Sequence, residues 1–215
     1  MASIVSFMRT QHLAASENLV QRIRGLAESH QCAALVCASK RLVIRGDIGR
    51  YFDPDNLLPT LHELVLEGQC DWQRLDAGDS SLKLLSAESG RNLEDLLWTL
   101  AFNSYTEERN CMHMGCRRDD VVRLQHWPNL TRVPASRNTF RLAALFSARP
   151  TSIALAGKIL GINECEVLRF YSAAWSAGLV TRVNRVAEPV KLVQHRNHSL
   201  IGALMKHLRK ESATA

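Results

Sequence analysis

The stretch RPTSIALAGKILGINECEVLRFYSAAWSAGLV, Arg149 to Val180, decides the fold of the second half of this chain. Pro150 cannot continue a preceding helix, and Thr151 or Ser152 supplies the hydroxyl that caps the next one, SIALAGKIL. Gly161-Ile162-Asn163 then forms a tight turn. A longer helix, ECEVLRFYSAAWSAG, stops at Gly178, as a helix stops at a C-terminal glycine. Glu164 and Glu166 in its first turn complement the helix dipole. Val167, Leu168, Tyr171 and Trp175 recur at helical spacing and are assigned to the core. That assignment leaves Phe170 and Ala173 relatively exposed.

Working outward, NTFRLAALFSA precedes this pair as a third helix, with Phe140, Leu142, Ala143 and Phe146 available for burial. On the other side LVTRV and VKLVQH alternate as two strands, with 184–189 as the loop between them. SLIGALMKHLRK closes the chain as an amphipathic helix. Its Leu200, Ile201, Leu204 and Leu208 form either a homodimer seam or a face packed on its own domain.

Three helices followed by a two-stranded hairpin resemble the winged helix-turn-helix superfamily over Asn138 to His195. The resemblance implies a third helix that enters the major groove of DNA and a wing that touches the backbone. Under that implication Arg182 and Arg185 in or near the wing, with Lys191 and Arg196 beyond it, contact phosphates, together with Arg137 and Arg141 at the start of the first helix. Arg169 and Asn163 are the candidates for base reading. The helix start itself, Asn163-Glu164-Cys165-Glu166, is poor in the cations that base edges require. An exposed Phe170 beside Glu164 and Glu166 instead fits a protein partner. Trp127, stiffened by Pro128, is either docked on this module with its indole buried or presented to a partner.

The first half carries a different pattern. ENLVQRIRGLAES, capped by Ser16, places Leu19, Val20, Ile23, Leu26 and Ala27 on one helical face. CAALVCA and RLVIRG are apolar runs joined around Ser39-Lys40, a hairpin. Asp53-Pro54 opens a helix with Leu57, Leu58, Leu61, Leu64 and Val65 inward, and Gly68 ends it. CDWQRLD and SLKLLSA are expected as two further strands. Asn92 caps LEDLLWTLAFNSYTEE, with Leu93, Leu96, Leu97, Leu100 and Ala101 inward. The fold class expected is therefore α+β: an α/β-hairpin module over 1–116 with a small antiparallel sheet, a basic linker over 117–136, and a winged-helix domain with a C-terminal helix over 137–215.

Charge follows the same division. Residues 1–116 hold 11 Lys+Arg against 15 Asp+Glu, a balance of −4; residues 117–215 hold 16 against 6, a balance of +10. The second half is thus suited to an anionic partner, double-stranded DNA in one reading and an acidic protein surface in the other.

No phosphate loop, nucleophile elbow or metalloprotease signature occurs, so the sequence reads as non-enzymatic and without a cofactor. Cys111, His113 and Cys116, with His126 further on, have the side-chain types of a zinc site but not its spacing, and no metal is assigned. The six cysteines are expected to be reduced, and Cys32 and Cys37 point to opposite faces of a strand. No run is long and apolar enough for a membrane span, and no secretory leader is read at the N-terminus, so cytoplasmic residence is expected. What emerges is a regulatory protein that either binds duplex DNA or acts as a signalling adaptor.

Overall fold

The computed structural model describes residues 19–76, 79, 82, 89–104 and 119–183. The chain forms two compact units, Met1–Asn184 and Arg185–Ala215; the second lies outside the described residues. Within the first unit the fold is α+β, with two antiparallel sheets and helices against them.

Helix α1 covers 19–28. Strands β1 (Cys32–Cys37) and β2 (Lys40–Arg45) pair antiparallel from Cys32↔Arg45 to Cys37↔Lys40, which leaves Ala38-Ser39 as a two-residue hairpin turn. The turn needs a positive φ, and Ala38 supplies it at 54°. The short β3 (Arg50–Phe52), helix α2 (Leu58–Leu66), β4 (Cys70–Leu75) and β5 (Arg91–Asn92) follow. The sheet order is β4-β1-β2-β3-β5. Asp53 accepts hydrogen bonds from the backbone N–H groups of Leu57 and Leu58, so it serves the start of α2, but the helix opens at Leu58 and not at the expected Asp53-Pro54. The strand expected over SLKLLSA falls outside the described residues except for Leu82, which is helical.

Period-two alternation sorts the strand residues. Leu35, Cys37, Leu42 and Ile44 face α1 and α2, where they meet Val20, Ile23, Leu57 and Leu61. Ala34, Val43 and Phe52 face the other way, onto Leu82.

Helix α3 (Leu93–Ser104) has two apolar faces. Leu93, Leu96 and Leu97 complete the first core, whereas Trp98 and Phe102 belong to the second. The second core is built by β6 (Val121–Leu124), α4 (Thr139–Ala148), β7 (Thr151–Ser152), α5 (Ile153–Leu160), α6 (Glu164–Ser176) and β8 (Val180–Arg182). Its sheet order is β7-β6-β8. Residues 121–124, placed by the sequence in a linker, therefore form the central strand. Their alternation, Val122 and Leu124 buried with Arg123 exposed, is the signal that marks it. The second strand expected over 190–195 and the helix expected at the C-terminus lie outside the described residues.

The local signals of the opening stretch act as expected. Arg149 is extended before Pro150. Ser152 Oγ accepts from the Leu155 N–H at 3.2 Å and Asn163 Oδ1 from the Cys165 N–H at 3.0 Å. Gly161 takes the left-handed conformation at φ 62° that ends α5.

Candidate functional site

Helix α6 is the element on which both sequence readings depend. None of its residues is exposed, from Glu164 to Ser176. Phe170 and Ala173, expected at the surface, are buried. The reason is α3, which covers this side of α6: Trp98 meets Phe170 edge-on at 5.6 Å, and Phe146 stacks on Phe170 at 5.8 Å. Trp98 Nε1 donates to the Pro134 carbonyl at 2.9 Å, tying the segment before α4 to the same cluster.

Three cations of this region, Arg141, Arg169 and Arg182, are held by the fold. Arg169 donates from Nε to the Phe102 carbonyl at 2.9 Å and lies 4.0 Å over the Phe102 ring. Arg182 sits 3.3 Å from the Asp120 carboxylate, donates to Tyr171 Oη at 3.1 Å, and covers Trp175 at 4.0 Å. Tyr171 in turn donates to Asp120 at 2.8 Å. Arg141 donates to the Leu160 carbonyl and to Asn138 Oδ1, and Asn138 donates to Glu166. Asn163 is spent as the α6 cap, and Glu164 is partly buried beside it. Arg137 is exposed. Arg185, Lys191 and Arg196 lie outside the described residues.

The surface that remains open is aromatic. Trp127 is 46% exposed and Phe140 is 63% exposed, and their rings meet edge-on at 5.3 Å. The indole is thus presented rather than buried; the buried residue of the pair is Pro128. Phe140, expected inward, stands about 110° around α4 from the centre of the Thr139, Leu142, Ala143, Phe146 stripe, at about 100° per residue. Trp127 also lines a cavity of ≈ 190 Å³ with Glu94, Asp95, Asn129 and Arg132. A neighbouring one of ≈ 440 Å³ shares Asp95 and Arg132 and adds Tyr51, Arg91 and Thr99. Burial pushes the Asp95 carboxyl above its ordinary range, against the pull of Arg132 and Arg50. Burial likewise raises the Tyr51 phenol.

A second cleft, ≈ 340 Å³, lies on the first sheet between His30, Cys32, Arg45, Asp47, Arg74 and Asp76. Arg45 grips Asp47 with two hydrogen bonds, at 3.1 and 2.6 Å, and the Cys32 thiol donates to Asp47 at 3.0 Å. The guanidinium holds Asp47 down to about 2, while burial and this bond raise the thiol. A thiol so protonated is a poor nucleophile.

The cysteine expectation needs correction. Cys37 and Cys70 are joined in a disulfide, because β1 and β4 place them directly opposite each other. Cys32 and Cys165 are free. Cys111, His113 and Cys116 lie outside the described residues, and among the described residues no three His, Cys, Asp or Glu side chains are gathered for a metal ion. No helix of the described residues is long and apolar enough to cross a membrane.

No protein-family model, curated protein or solved structure matches the chain.

Proposed function

We propose that the protein is a non-enzymatic regulatory adaptor whose second half, a helix-turn-helix scaffold resembling a winged helix, recognises another protein. One observation carries this reading: the partly exposed residues of α6 are Glu164, Cys165, Glu166, Arg169 and Trp175, of which the one cation is bound to Phe102 and the two carboxylates oppose a phosphate backbone. The two described cations nearest that role, Arg169 and Arg182, are committed to Phe102 and Asp120. The contact surface of the adaptor is the Trp127–Phe140 pair, since exposed aromatic side chains are the usual anchors of protein interfaces. Phe170 belongs to the core that holds α6 in place.

Duplex DNA remains the rival, and titration separates the two. A fluorescent duplex of about 20 base pairs is titrated with the full chain at about 50 mM and about 200 mM salt. The adaptor reading expects no saturable binding at micromolar protein. Micromolar binding that weakens steeply with salt overturns it.

Cytoplasmic residence belongs to the same proposal, and the Cys37–Cys70 bridge weighs against it, because structural disulfides persist chiefly in oxidising compartments. Thiol trapping in intact cells decides this point: free Cys37 and Cys70 thiols are expected in the cytoplasm, and an intact bridge removes that setting.

A further inference from the structure

Between Val121 and Asn163 the sequence holds no Asp or Glu and six Lys or Arg: Arg123, Arg132, Arg137, Arg141, Arg149 and Lys158. All six are exposed. None of them is in a salt bridge among the described residues. The same 43 residues carry Trp127, Phe140, Leu155 and Ile159, four of the six large apolar side chains that the described residues expose. Leu155 and Ile159 lie one turn apart on α5.

Cationic and apolar exposure are therefore concentrated together, and each limits the partner. A nucleic-acid backbone answers the guanidinium groups but leaves the aliphatic side chains without a partner. A neutral apolar surface answers the aromatic pair and desolvates the arginines without compensation. A protein segment bearing both carboxylates and a bulky apolar side chain answers both.

The arrangement around the aromatic pair fixes the position. Arg132 lines the same cavity as Trp127. Arg137 is exposed just before α4, three residues ahead of Phe140 in the chain. Glu94 and Asp95 line that cavity from α3 beside Arg132, so a partner's carboxylates meet Arg132 from the solvent side, away from α3.

We propose that this surface docks an acidic protein segment whose bulky apolar side chain seats against Trp127 and Phe140 while neighbouring carboxylates pair with Arg132 and Arg137. The inference rests on the adaptor reading and adds the chemistry of its partner.

The test is a selection of random 12-residue peptides displayed on phage against the immobilised full chain, followed by titration of the enriched peptides in solution. The expected winners carry a net negative charge and at least one aromatic or large aliphatic residue. Their affinity falls about tenfold or more in the Trp127→Ala/Phe140→Ala variant, as for the loss of an interface anchor. It falls about three- to tenfold in Arg132→Glu and Arg137→Glu, and the loss shrinks as salt is raised. Circular dichroism checks that each variant is folded, and the two charge reversals, at exposed positions, give a readout independent of the aromatic truncations. Winners that need Trp127 and Phe140 but carry no acidic excess, or that ignore both charge reversals, overturn the acidic partner and leave an adaptor. A selection with no winner dependent on Trp127 and Phe140 overturns the docking surface, and micromolar duplex binding in the preceding titration then overturns the adaptor with it.

Discussion

Arg182 lies 3.3 Å from the Asp120 carboxylate, at the point where β8 runs beside β6 in the second sheet. Asp120 is 5% exposed and also accepts from Tyr171, while its backbone carbonyl takes the N–H of Ile153 at the start of α5. One short stretch thus joins α5, α6 and β8. The guanidinium that the sequence places on a wing is part of this cluster, covering Trp175 with its plane. Arg24 of α1 approaches the same ring at 5.6 Å and donates to the Trp175 carbonyl at 3.4 Å.

Removing the carboxylate is therefore expected to destabilise the protein rather than change a surface property. In Asp120→Ala, Arg182 loses this carboxylate and Tyr171 loses this acceptor. Asp120 is buried but Arg182 is 29% exposed, so the loss is about 2 kcal/mol. Asp120→Asn keeps an acceptor for Tyr171 and is expected to lose roughly half as much. Urea unfolding reads both. Equal stability of the wild type and Asp120→Ala would show that the cluster contributes nothing.

Backbone proximity gives a sharper case at Gly46. A Cβ built there lies 2.2 Å from the Leu26 carbonyl oxygen and 2.4 Å from that of Gln31. Both atoms are main chain, and the Gly46 N–H donates to the Gln31 carbonyl, so neither side has room to give. Gly46→Ala is expected to cost about 3 kcal/mol or to prevent folding, the scale of an overpacked core. Gly25 is the control. It lies within α1, where a Cβ meets nothing within 4 Å, and Gly25→Ala is expected to stabilise by about 0.5–1 kcal/mol through helix propensity. Thermal unfolding of the two variants should move in opposite directions.

Much of the fold is legible in local chemistry. Asn92, Ser152 and Asn163 cap helices where their residue types say they should, and the β1–β2 hairpin follows from two apolar runs around a short polar break. What is not legible is contact across the chain. Helix α3 carries one apolar stripe in the sequence reading, Leu93 to Ala101, yet it serves two cores. Trp98 and Phe102 lie off that stripe and enter the second core beside α6. The burial of Phe170 follows from that contact, and Val167, Phe170, Tyr171 and Ala174, at i, i+3, i+4 and i+7, are the period that could have marked it. The exposure of Phe140 was legible, since its angular position lies well off the stripe of α4. The Cys37–Cys70 pairing needs the β1–β4 register, which no spacing of cysteines contains.

Ser172 tests the packing of α6 from within. Its residue is fully buried, and its Oγ has no hydrogen-bond partner among the described residues. An unpaired buried hydroxyl carries its desolvation cost without return, and alanine is also the better helix former. Ser172→Ala is expected to raise stability by about 1 kcal/mol, read as a higher urea midpoint with an unchanged slope. A loss of stability would mean that the hydroxyl does have an acceptor.

The cleft on the first sheet makes a prediction in pH. Asp47 is held at about 2, first by its hydrogen bonds to Arg45, against an ordinary value of 3.8. A lowered acid favours the native state wherever the unfolded chain is also ionised. The contribution is therefore complete above pH 4 and is lost as pH falls through 4 towards 2. Asp47 is more than a third exposed, so solvent screening reduces the contribution to about 1 kcal/mol or less. Asp47→Asn should remove this acid-sensitive step from the stability profile. It should also change Cys32, because the thiol's proton is retained partly by its bond to the Asp47 carboxylate. Without that carboxylate the thiolate forms more readily, and alkylation of Cys32 by iodoacetamide near pH 8 is expected to be faster in the variant. Cys165 is the second free cysteine among the described residues and serves as the internal reference. Alkylation of Cys32 at an unchanged rate, with the acid step still present in Asp47→Asn, would show that the Arg45–Asp47–Cys32 chain of contacts does not operate in solution.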